Sequence, residues 1–181
     1  MRIFILYFFI LFTPVNSDTF EQKNKLDQLF KQLSKINNSK TGEQLEKKIW
    51  QIWNKHPNNL KLTDKLELGT ELMHYGNYDY ALEVFNNIIY TDPKWSEAWN
   101  KRATLFFLMK RYKSSLNDID KVLGLEVRHF GALSGQARIY IKLKEYEKAI
   151  LSLKKALEFY PSFRSGELIP EIEKIIKEQI I

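Results

Sequence analysis

Three histidines are the side chains of this 181-residue chain with the broadest chemical repertoire, because imidazole serves both as a metal ligand and as a general base. A metal site needs its ligands at spacings that bring them to one face. His56, His74 and His129 share no such spacing. A single histidine without partners is typical of a structural or solvated position, so the sequence predicts no metal site.

Two pairs of carboxylates, Asp118 with Asp120 and Glu145 with Glu147, are separated by two positions. On a helix such neighbours point to different faces, which does not suit shared acid–base work. The chain has no cysteine, which excludes disulfides, thiolate metal sites and a cysteine nucleophile. It also contains neither a phosphate-binding Gly-rich loop nor a G-x-S-x-G elbow. We predict no catalytic residue and no cofactor.

One segment, LEVRHFGALSGQAR, places Arg128 and His129 just before Gly131 and Gly135. The apolar pattern predicts a helix there, and glycine inside a helix costs about 1 kcal/mol relative to alanine. Close approach of a neighbouring helix would account for the two glycines, and so would close approach of a ligand. Both explanations remain open at this point.

The first seventeen residues, MRIFILYFFILFTPVNS, have the parts of a secretory signal peptide: Arg2, an apolar run at 3–12, and short residues around a proline. We predict cleavage after Ser17, with an uncleaved membrane anchor as the alternative. The run is shorter than the roughly 20 residues that cross a bilayer. An exported chain without cysteine suits a bacterial periplasm better than a disulfide-rich extracellular space.

Charge and composition favour a packed, solvated protein. The hydrophobic fraction is 44%, and 28 basic residues against 22 acidic ones give a net charge of +6. Most of the excess is lysine scattered along helical segments, a pattern typical of solvated faces. We expect no nucleic-acid partner, and a membrane partner only if the signal segment is not cleaved.

The chain repeats itself when it is shifted by 34 residues, which is the strongest signal that it contains. Small, bulky and aromatic residues then fall into register, and prolines close the first and third units with valine at the middle one. The aligned sets are Gly69, Ala103 and Ala137; Leu72, Phe106 and Tyr140; Tyr78, Tyr112 and Tyr146; Ala81, Ser115 and Ala149; Phe85, Ile119 and Leu153; and Pro93, Val127 and Pro161.

This 34-residue pattern resembles the tetratricopeptide repeat, a helix-turn-helix unit, over residues 62–161. Trp99 stands where the family has an early tryptophan, whereas Arg102 and Gln136 occupy a place usually taken by leucine. A polar surface between helices is therefore expected near Arg102, which we expect to pair with an acid. We group Arg102 with Arg128 and His129 as a candidate polar cluster. The segments LEVRHFGALSGQAR and EAWNKRA are also similar to exported tetratricopeptide proteins of alphaproteobacteria.

The resemblance implies an all-α solenoid of about three helical hairpins, with N-terminal helices at 18–61 and a C-terminal capping helix at 162–181. Upstream, Thr41 and Gln44 form a capping-box pattern that predicts a helix start after Thr41. Ile49, Ile52 and Trp53 share one face of that helix, so we expect it to pack under the first repeat. The C-terminal helix has apolar residues at helical spacing: Leu168, Ile172, Ile175, Ile176 and Ile180.

In this family the first helix of each unit lines a concave groove that receives a peptide or a partner's helix. The resemblance places eight residues in that groove: Thr70, His74, Asn100, Thr104, Phe107, Ser134, Arg138 and Lys142. Arg138 and Lys142 would suit an acidic or carboxylate-bearing segment, since hydrogen bonds between charged groups are the strong kind. The Lys/Asn clamp that some members use for a C-terminal carboxylate is not reproduced, because Leu66 and Thr70 stand at its first two places.

The functional hypothesis is an exported scaffold or assembly factor of the cell envelope that binds another protein and is not an enzyme. One alternative is an envelope hydrolase or transferase that uses the histidines and carboxylates. The other is a membrane-anchored surface protein that keeps its N-terminal segment.

Overall fold

The computed structural model describes residues 17–179, all of them in helices and connecting turns. Residues 1–16, which make up the predicted signal segment except for Ser17, lie outside this range. In chain order the helices are α1 Ser17–Leu33, α2 Ser39–Trp53, α3 Leu60–His74, α4 Tyr78–Thr91, α5 Ser96–Leu108, α6 Tyr112–Leu125, α7 Phe130–Lys142, α8 Tyr146–Phe159 and α9 Leu168–Gln179. A 3-10 turn at Arg164–Glu167 precedes α9. No helix between residues 17 and 179 is long and apolar enough to cross a membrane.

Helices α3 to α8 form three antiparallel hairpins, α3–α4, α5–α6 and α7–α8, which confirms the predicted helical-hairpin solenoid. Their second helices begin at Tyr78, Tyr112 and Tyr146, so the period of the sequence is also the period of the structure. The small residues allow the two helices of a hairpin to approach closely. A Cβ atom at Gly69 would lie 2.6 Å from Cε1 of Phe85.

The turn inside each hairpin contains one residue with a left-handed backbone. This residue is Gly76 in the first hairpin (φ 79°), Lys110 in the second (φ 59°) and Lys144 in the third (φ 59°). The left-handed region costs an L-residue with a side chain roughly 1–2 kcal/mol, whereas glycine adopts it readily. The two lysines therefore hold backbone strain that the first hairpin avoids.

Replacing Lys144 with glycine is expected to raise the free energy of unfolding by up to about 1 kcal/mol, because relief of the strain exceeds the added entropy of the unfolded chain. Chemical denaturation measures the difference. The matched control is Lys121→Gly, an exposed lysine within α6, where glycine should instead lower stability by about 1 kcal/mol. If both variants lost the same free energy of unfolding, the backbone at Lys144 would not be strained.

The N-terminal hairpin α1–α2 does not pack under the first repeat, so that prediction was wrong. Its apolar side chains join a core with α7, α8 and the turn that follows α8. The buried members are Leu26, Phe30, Leu33, Leu45, Ile49, Trp53, Phe130, Leu133, Ala156 and Tyr160. The end of α2 and the turn after it do contact the first repeat. The carbonyl of Trp53 accepts from Nε1 of Trp95 at 3.0 Å, and the backbone N–H of His56 donates to the Thr63 hydroxyl at 3.0 Å.

Helix α2 also begins earlier than predicted. Its N-cap is Asn38, whose side-chain oxygen accepts from the backbone N–H of Thr41 at 3.2 Å, and the helix starts at Ser39. An Asn cap competes well with a Thr cap, because both supply an oxygen to a free N–H of the first turn. The predicted Thr41 box is therefore replaced by a cap three residues upstream.

Glycines mark where α2 meets the third hairpin. A Cβ atom at Gly42 would lie 2.8 Å from Oγ of Ser162, and one at Gly131 would lie 2.5 Å from Cη2 of Trp50. Close approach of a neighbouring helix therefore accounts for Gly131. At Gly135 the nearest atom to a Cβ would be Cδ1 of Ile119 at 3.8 Å, an ordinary contact.

Helix α9 covers the end of the third hairpin. Leu168, Ile172 and Ile176 pack in a cluster that includes Leu153 of α8. Ile175 is 37% exposed, and Ile180 lies outside the described residues. The apolar stripe predicted for this helix is therefore mostly, but not wholly, turned towards the solenoid.

Candidate functional site

A cavity of about 380 Å³ lies between the first helices of the second and third hairpins, and α2 closes one side of it. Helices α5 and α7 supply its walls, and the turn before α9 supplies its far end. Its lining includes aromatic, hydroxyl, amide and charged side chains: Glu46, Trp50, Asn100, Ala103, Thr104, Phe107, Ser115, Ile119, Gly131, Ser134, Gly135, Arg138, Ile139, Phe163 and Ser165.

Five of the eight residues predicted for the groove line this cavity: Asn100, Thr104, Phe107, Ser134 and Arg138. The other three do not line it. The hydroxyl of Thr70 donates to the carbonyl of Leu66 at 2.7 Å within α3. His74 and Lys142 are exposed near the ends of α3 and α7.

Sequence reasoning missed the cavity residues that come from outside the repeats: Glu46, Trp50, Phe163 and Ser165. The one signal that could have found Trp50 is Gly131, a helical glycine that leaves room for a bulky neighbour. Because one sequence does not say which neighbour fills that room, the indication was incomplete.

The polar groups of the cavity divide into engaged and available ones. The hydroxyls of Ser134 and Ser165 lie 2.9 Å apart, and the amide of Asn100 donates to both oxygens of Glu97 at 3.1 and 3.2 Å. Arg138 is exposed and makes no ion pair with the side chains that the structure describes. The cavity thus offers a guanidinium beside aromatic and hydroxyl surfaces.

A buried polar cluster lies beside the cavity and links α5 to α7. Glu97 and His129 are both fully buried, and Nε2 of His129 donates to Glu97 at 3.0 Å. Nδ1 of His129 accepts from the backbone N–H of Ala132 at 3.1 Å, which places the ring proton on Nε2. Burial raises the pKa of Glu97, but the hydrogen bond from His129 and the charge of Lys101, 3.2 Å away, together hold it below its ordinary value.

The N-terminal hairpin covers this cluster. The ring of Trp53 stacks on His129 with centroids 3.9 Å apart and planes 7° apart, and Trp50 meets the same imidazole edge-on at 5.4 Å. His129 therefore caps α7 through Nδ1, anchors α5 through Nε2 and supports α2 through its face. This combination explains why it is fully buried.

Arg102 pairs with an acid, as expected from its place in the second hairpin. Its guanidinium donates to both oxygens of Asp118 at 2.7 and 2.8 Å and to Asn86 at 2.7 Å. It also lies over the ring of Trp99, 4.9 Å from the centroid. The arginine therefore joins α4, α5 and α6, and each of its three guanidinium nitrogens donates a hydrogen bond.

Arg128 makes a separate ion-pair group. Its guanidinium donates to Glu126 at 2.8 Å and to Asp27 of α1 at 2.7 Å, and it lies 4.4 Å from the ring centroid of Phe30. Arg102, Arg128 and His129 share no acidic partner, so the structure does not join them into one charged centre.

His56 repeats the geometry of His129 in the turn between α2 and α3, where the N-terminal hairpin meets the first repeat. Its Nε2 donates to Asp92 at 2.9 Å, and its Nδ1 accepts from the backbone N–H of Asn58 at 3.3 Å. Within residues 17–179 no three His, Asp or Glu side chains come together as a metal site.

Comparisons with known proteins agree with this architecture. The family model described as tetratricopeptide repeat matches residues 130–163. A TPR repeat-containing protein of Rhizobium etli is 31% identical over 145 residues, which cover 80% of this chain and 71% of that protein. Sperm-associated antigen 1 of Rattus norvegicus is 27% identical over 163 residues, and the chain spans only 18% of its length.

Among solved structures, the first TPR of Spaghetti (RPAP3) bound to the HSP90 peptide SRMEEVD superimposes with a TM-score of 0.62. The two sequences are 20% identical, and the match covers 66% of this chain and 96% of that one. At this level of identity the likeness concerns the fold.

Proposed function

Because the chain belongs to the tetratricopeptide repeat family, we propose that it binds a peptide segment of a partner protein in the cavity between α2, α5 and α7. The structural neighbour with the HSP90 peptide supports a peptide ligand, since that protein has a similar fold and is described with a bound peptide. The partner of this chain need not be related to HSP90, and its chemistry follows from the cavity.

The observation that carries the proposal is Arg138 beside aromatic walls. Phe107, Phe163 and Trp50 supply apolar surface, while Arg138 supplies a charge without an ion-pair partner among the described side chains. A carboxylate on Arg138 would form a charged hydrogen bond, and an adjacent apolar side chain would enter between the rings. The ligand is therefore a short segment with one acidic group and one apolar group.

The size of the cavity decides whether the ligand binds as a helix or as an extended segment. A helix with its side chains is about 10–12 Å wide, whereas the cavity holds about 380 Å³ and α2 narrows it. Only a few side chains of an extended segment fit such a volume. A partner helix would need α2 to move away, which would expose the core shared by α2 and α7.

A binding role also agrees with the state of the two buried histidines. His56 and His129 are 4% and 0% exposed, and both nitrogens of each ring are engaged in hydrogen bonds. A general base needs a ring nitrogen within reach of a substrate proton. We therefore favour a protein-binding role over an envelope hydrolase or transferase.

The proposal also specifies where the protein acts. After export and cleavage following Ser17, it would act as a scaffold or assembly factor in the cell envelope. It rests on the signal-like sequence at 1–17. The mass of the protein recovered from cells that express the full chain tests it. A mature N-terminus at Asp18 is the expected result, and a retained N-terminal segment would favour the membrane-anchored alternative.

Arg138→Glu is expected to weaken partner capture at least about tenfold, because it removes a charged hydrogen bond and adds repulsion. Crosslinking in cells with the tagged full chain, followed by mass spectrometry, measures the capture. The matched control is Lys142→Glu, which makes the same charge change on α7 outside the cavity and should leave capture unchanged. Equal capture by Arg138→Glu and the original protein would place the site elsewhere.

A further inference from the structure

Positive charge is concentrated in the N-terminal hairpin and not in the solenoid. Residues 17–59 contain eight lysines and five acidic residues, whereas residues 60–181 contain 19 basic and 17 acidic ones. The hairpin thus carries +3 of the +5 that remains without Arg2, on about a quarter of the length. The cavity between α2, α5 and α7, called the concave cavity below, is not lined by any of these lysines. The hairpin residues that line it are Glu46 and Trp50.

A groove of about 620 Å³ runs between α1 and α2 on the hairpin, and we call it the hairpin groove. Leu29 and Ile52 form its floor, and both are partly buried against the core. Lys25, Lys48 and Lys55 stand on its rim, where Lys25 pairs with Glu21 at 2.7 Å. The groove shares no lining residue with the concave cavity.

The two helices that form the groove are fixed to each other. Gln22 on α1 donates from Nε2 to the carbonyls of Ile52 and Lys55, at 3.0 and 2.8 Å. These bonds satisfy carbonyls at the end of α2 and hold the walls at a constant separation. The groove is therefore a preformed feature of the hairpin.

Several polar side chains of the groove are available to a ligand. Gln28, Gln32 and Gln51 line it and form no side-chain hydrogen bond within residues 17–179, and Lys48 and Lys55 form no ion pair there. Each glutamine amide presents a donor and an acceptor, which matches the N–H and C=O groups of an extended backbone. Lysine ammonium groups on the rim match acidic side chains.

We propose that the hairpin groove binds an extended acidic segment of a partner protein, with acidic side chains on Lys48 and Lys55 and an apolar side chain over Leu29 and Ile52. This is a second interaction surface, independent of the peptide site in the concave cavity. Its apolar floor is recessed between two helices. A helix that binds a membrane instead presents its apolar face outwards to the lipid.

The probe for this groove is a fluorescein-labelled peptide of alternating Glu and Leu, and the reference probe has Gln in place of Glu. Fluorescence anisotropy with the protein purified from cells expressing the full chain should show binding of the acidic probe that weakens as salt is raised. The Lys48→Glu, Lys55→Glu double variant should bind the acidic probe at least tenfold more weakly. Thermal melting followed by circular dichroism verifies that this variant is folded.

The matched control is Lys121→Glu with Lys154→Glu, which makes the same charge change on exposed positions of α6 and α8. It should retain binding within about twofold. Arg138→Glu should also retain it, which separates this surface from the concave cavity. Equal loss in both double variants would overturn the proposal in favour of general charge attraction, and so would equal binding of the two probes.

Vesicles of phosphatidylcholine with anionic phosphatidylglycerol provide the competing ligand. Two results together would overturn the proposal and assign the lysines to a membrane surface. These are vesicle binding that is lost in the Lys48→Glu, Lys55→Glu double variant and no binding of the acidic peptide. Binding of the peptide that the vesicles do not displace would support it.

Discussion

Replacing Trp53 with alanine is expected to lower the free energy of unfolding by about 3–5 kcal/mol, the range for a large aromatic residue removed from a core. Trp53 is 4% exposed and stacks on His129. Its ring also lies 5.0 Å from that of Phe130 and 5.8 Å from that of Phe30, so it joins α1, α2 and α7. Chemical denaturation of the full chain measures the loss.

The location of the damage distinguishes this variant from a general loss of packing. The Trp53→Ala substitution should accelerate amide hydrogen exchange more in α1 and α2 than in α3 and α4, because α3 and α4 pack in a separate core cluster that does not include Trp53. The control is Trp99→Ala, a partly buried tryptophan that packs within the solenoid. Its loss should be smaller and should leave α1 and α2 protected. A loss below about 1 kcal/mol in Trp53→Ala would show that the hairpin is not anchored by this residue.

The repeated hairpins could be predicted because their contacts are local and recur. Gly69 meets Phe85 within one unit, and the same small and bulky positions return in the next two units. Each recurrence is an independent observation of the same packing. The predicted groove residues on α5 and α7 inherit this regularity, since a place in the repeat fixes the side of the helix on which a residue lies.

The position of the N-terminal hairpin could not be predicted in the same way. The amphipathic pattern of α2 shows that Ile49 and Trp53 must be buried, but it does not name the surface that buries them. The nearest repeat along the chain was the natural choice and was wrong, because the apolar acceptor surface is formed by Phe130 and Leu133 of the third hairpin. A long-range contact that occurs only once produces no repeating pattern in the sequence.

The positive-φ lysines show a different limit of the sequence pattern. Gly76 marks its turn plainly, but Lys110 and Lys144 are helix-forming residues whose own propensity does not favour a left-handed turn. Only their alignment with Gly76 identifies the turns. Here the repeat as a whole predicts the backbone better than the individual residues do.

Replacing Glu97 with alanine is expected to lower the free energy of unfolding by about 3–5 kcal/mol, because it leaves the buried N–H donors of His129 and Asn100 without an acceptor and Lys101 without its counter-charge. Glu97 accepts from His129 and Asn100 and pairs with Lys101. The Lys101 side chain is 19% exposed and can partly rehydrate, whereas His129 is fully buried and cannot. Denaturation of the full chain at neutral pH measures the loss.

The pH dependence of stability tests the ionised state of Glu97 directly. Its folded pKa is lowered from an ordinary value of 4.5. The part of the folding stability that depends on ionised Glu97 is therefore fully present above about pH 4.5. It is lost as the pH falls through the folded pKa, because the unfolded chain binds the proton at a higher pH than the folded chain does. Glu97→Gln keeps the shape and one acceptor but cannot titrate, so its stability should fall less between about pH 4.5 and about pH 3.

The control for this titration is Glu147→Gln, which removes an exposed carboxylate of α8 that forms no ion pair in the described chain. It should leave both the stability and the pH profile of the original protein almost unchanged. If Glu97→Gln shows the same acid sensitivity as the original protein, then Glu97 is not the ionised partner of His129 and Lys101. The link between α5 and α7 would in that case depend on packing, and Glu97→Ala should cost no more than the loss of a buried side chain of its size.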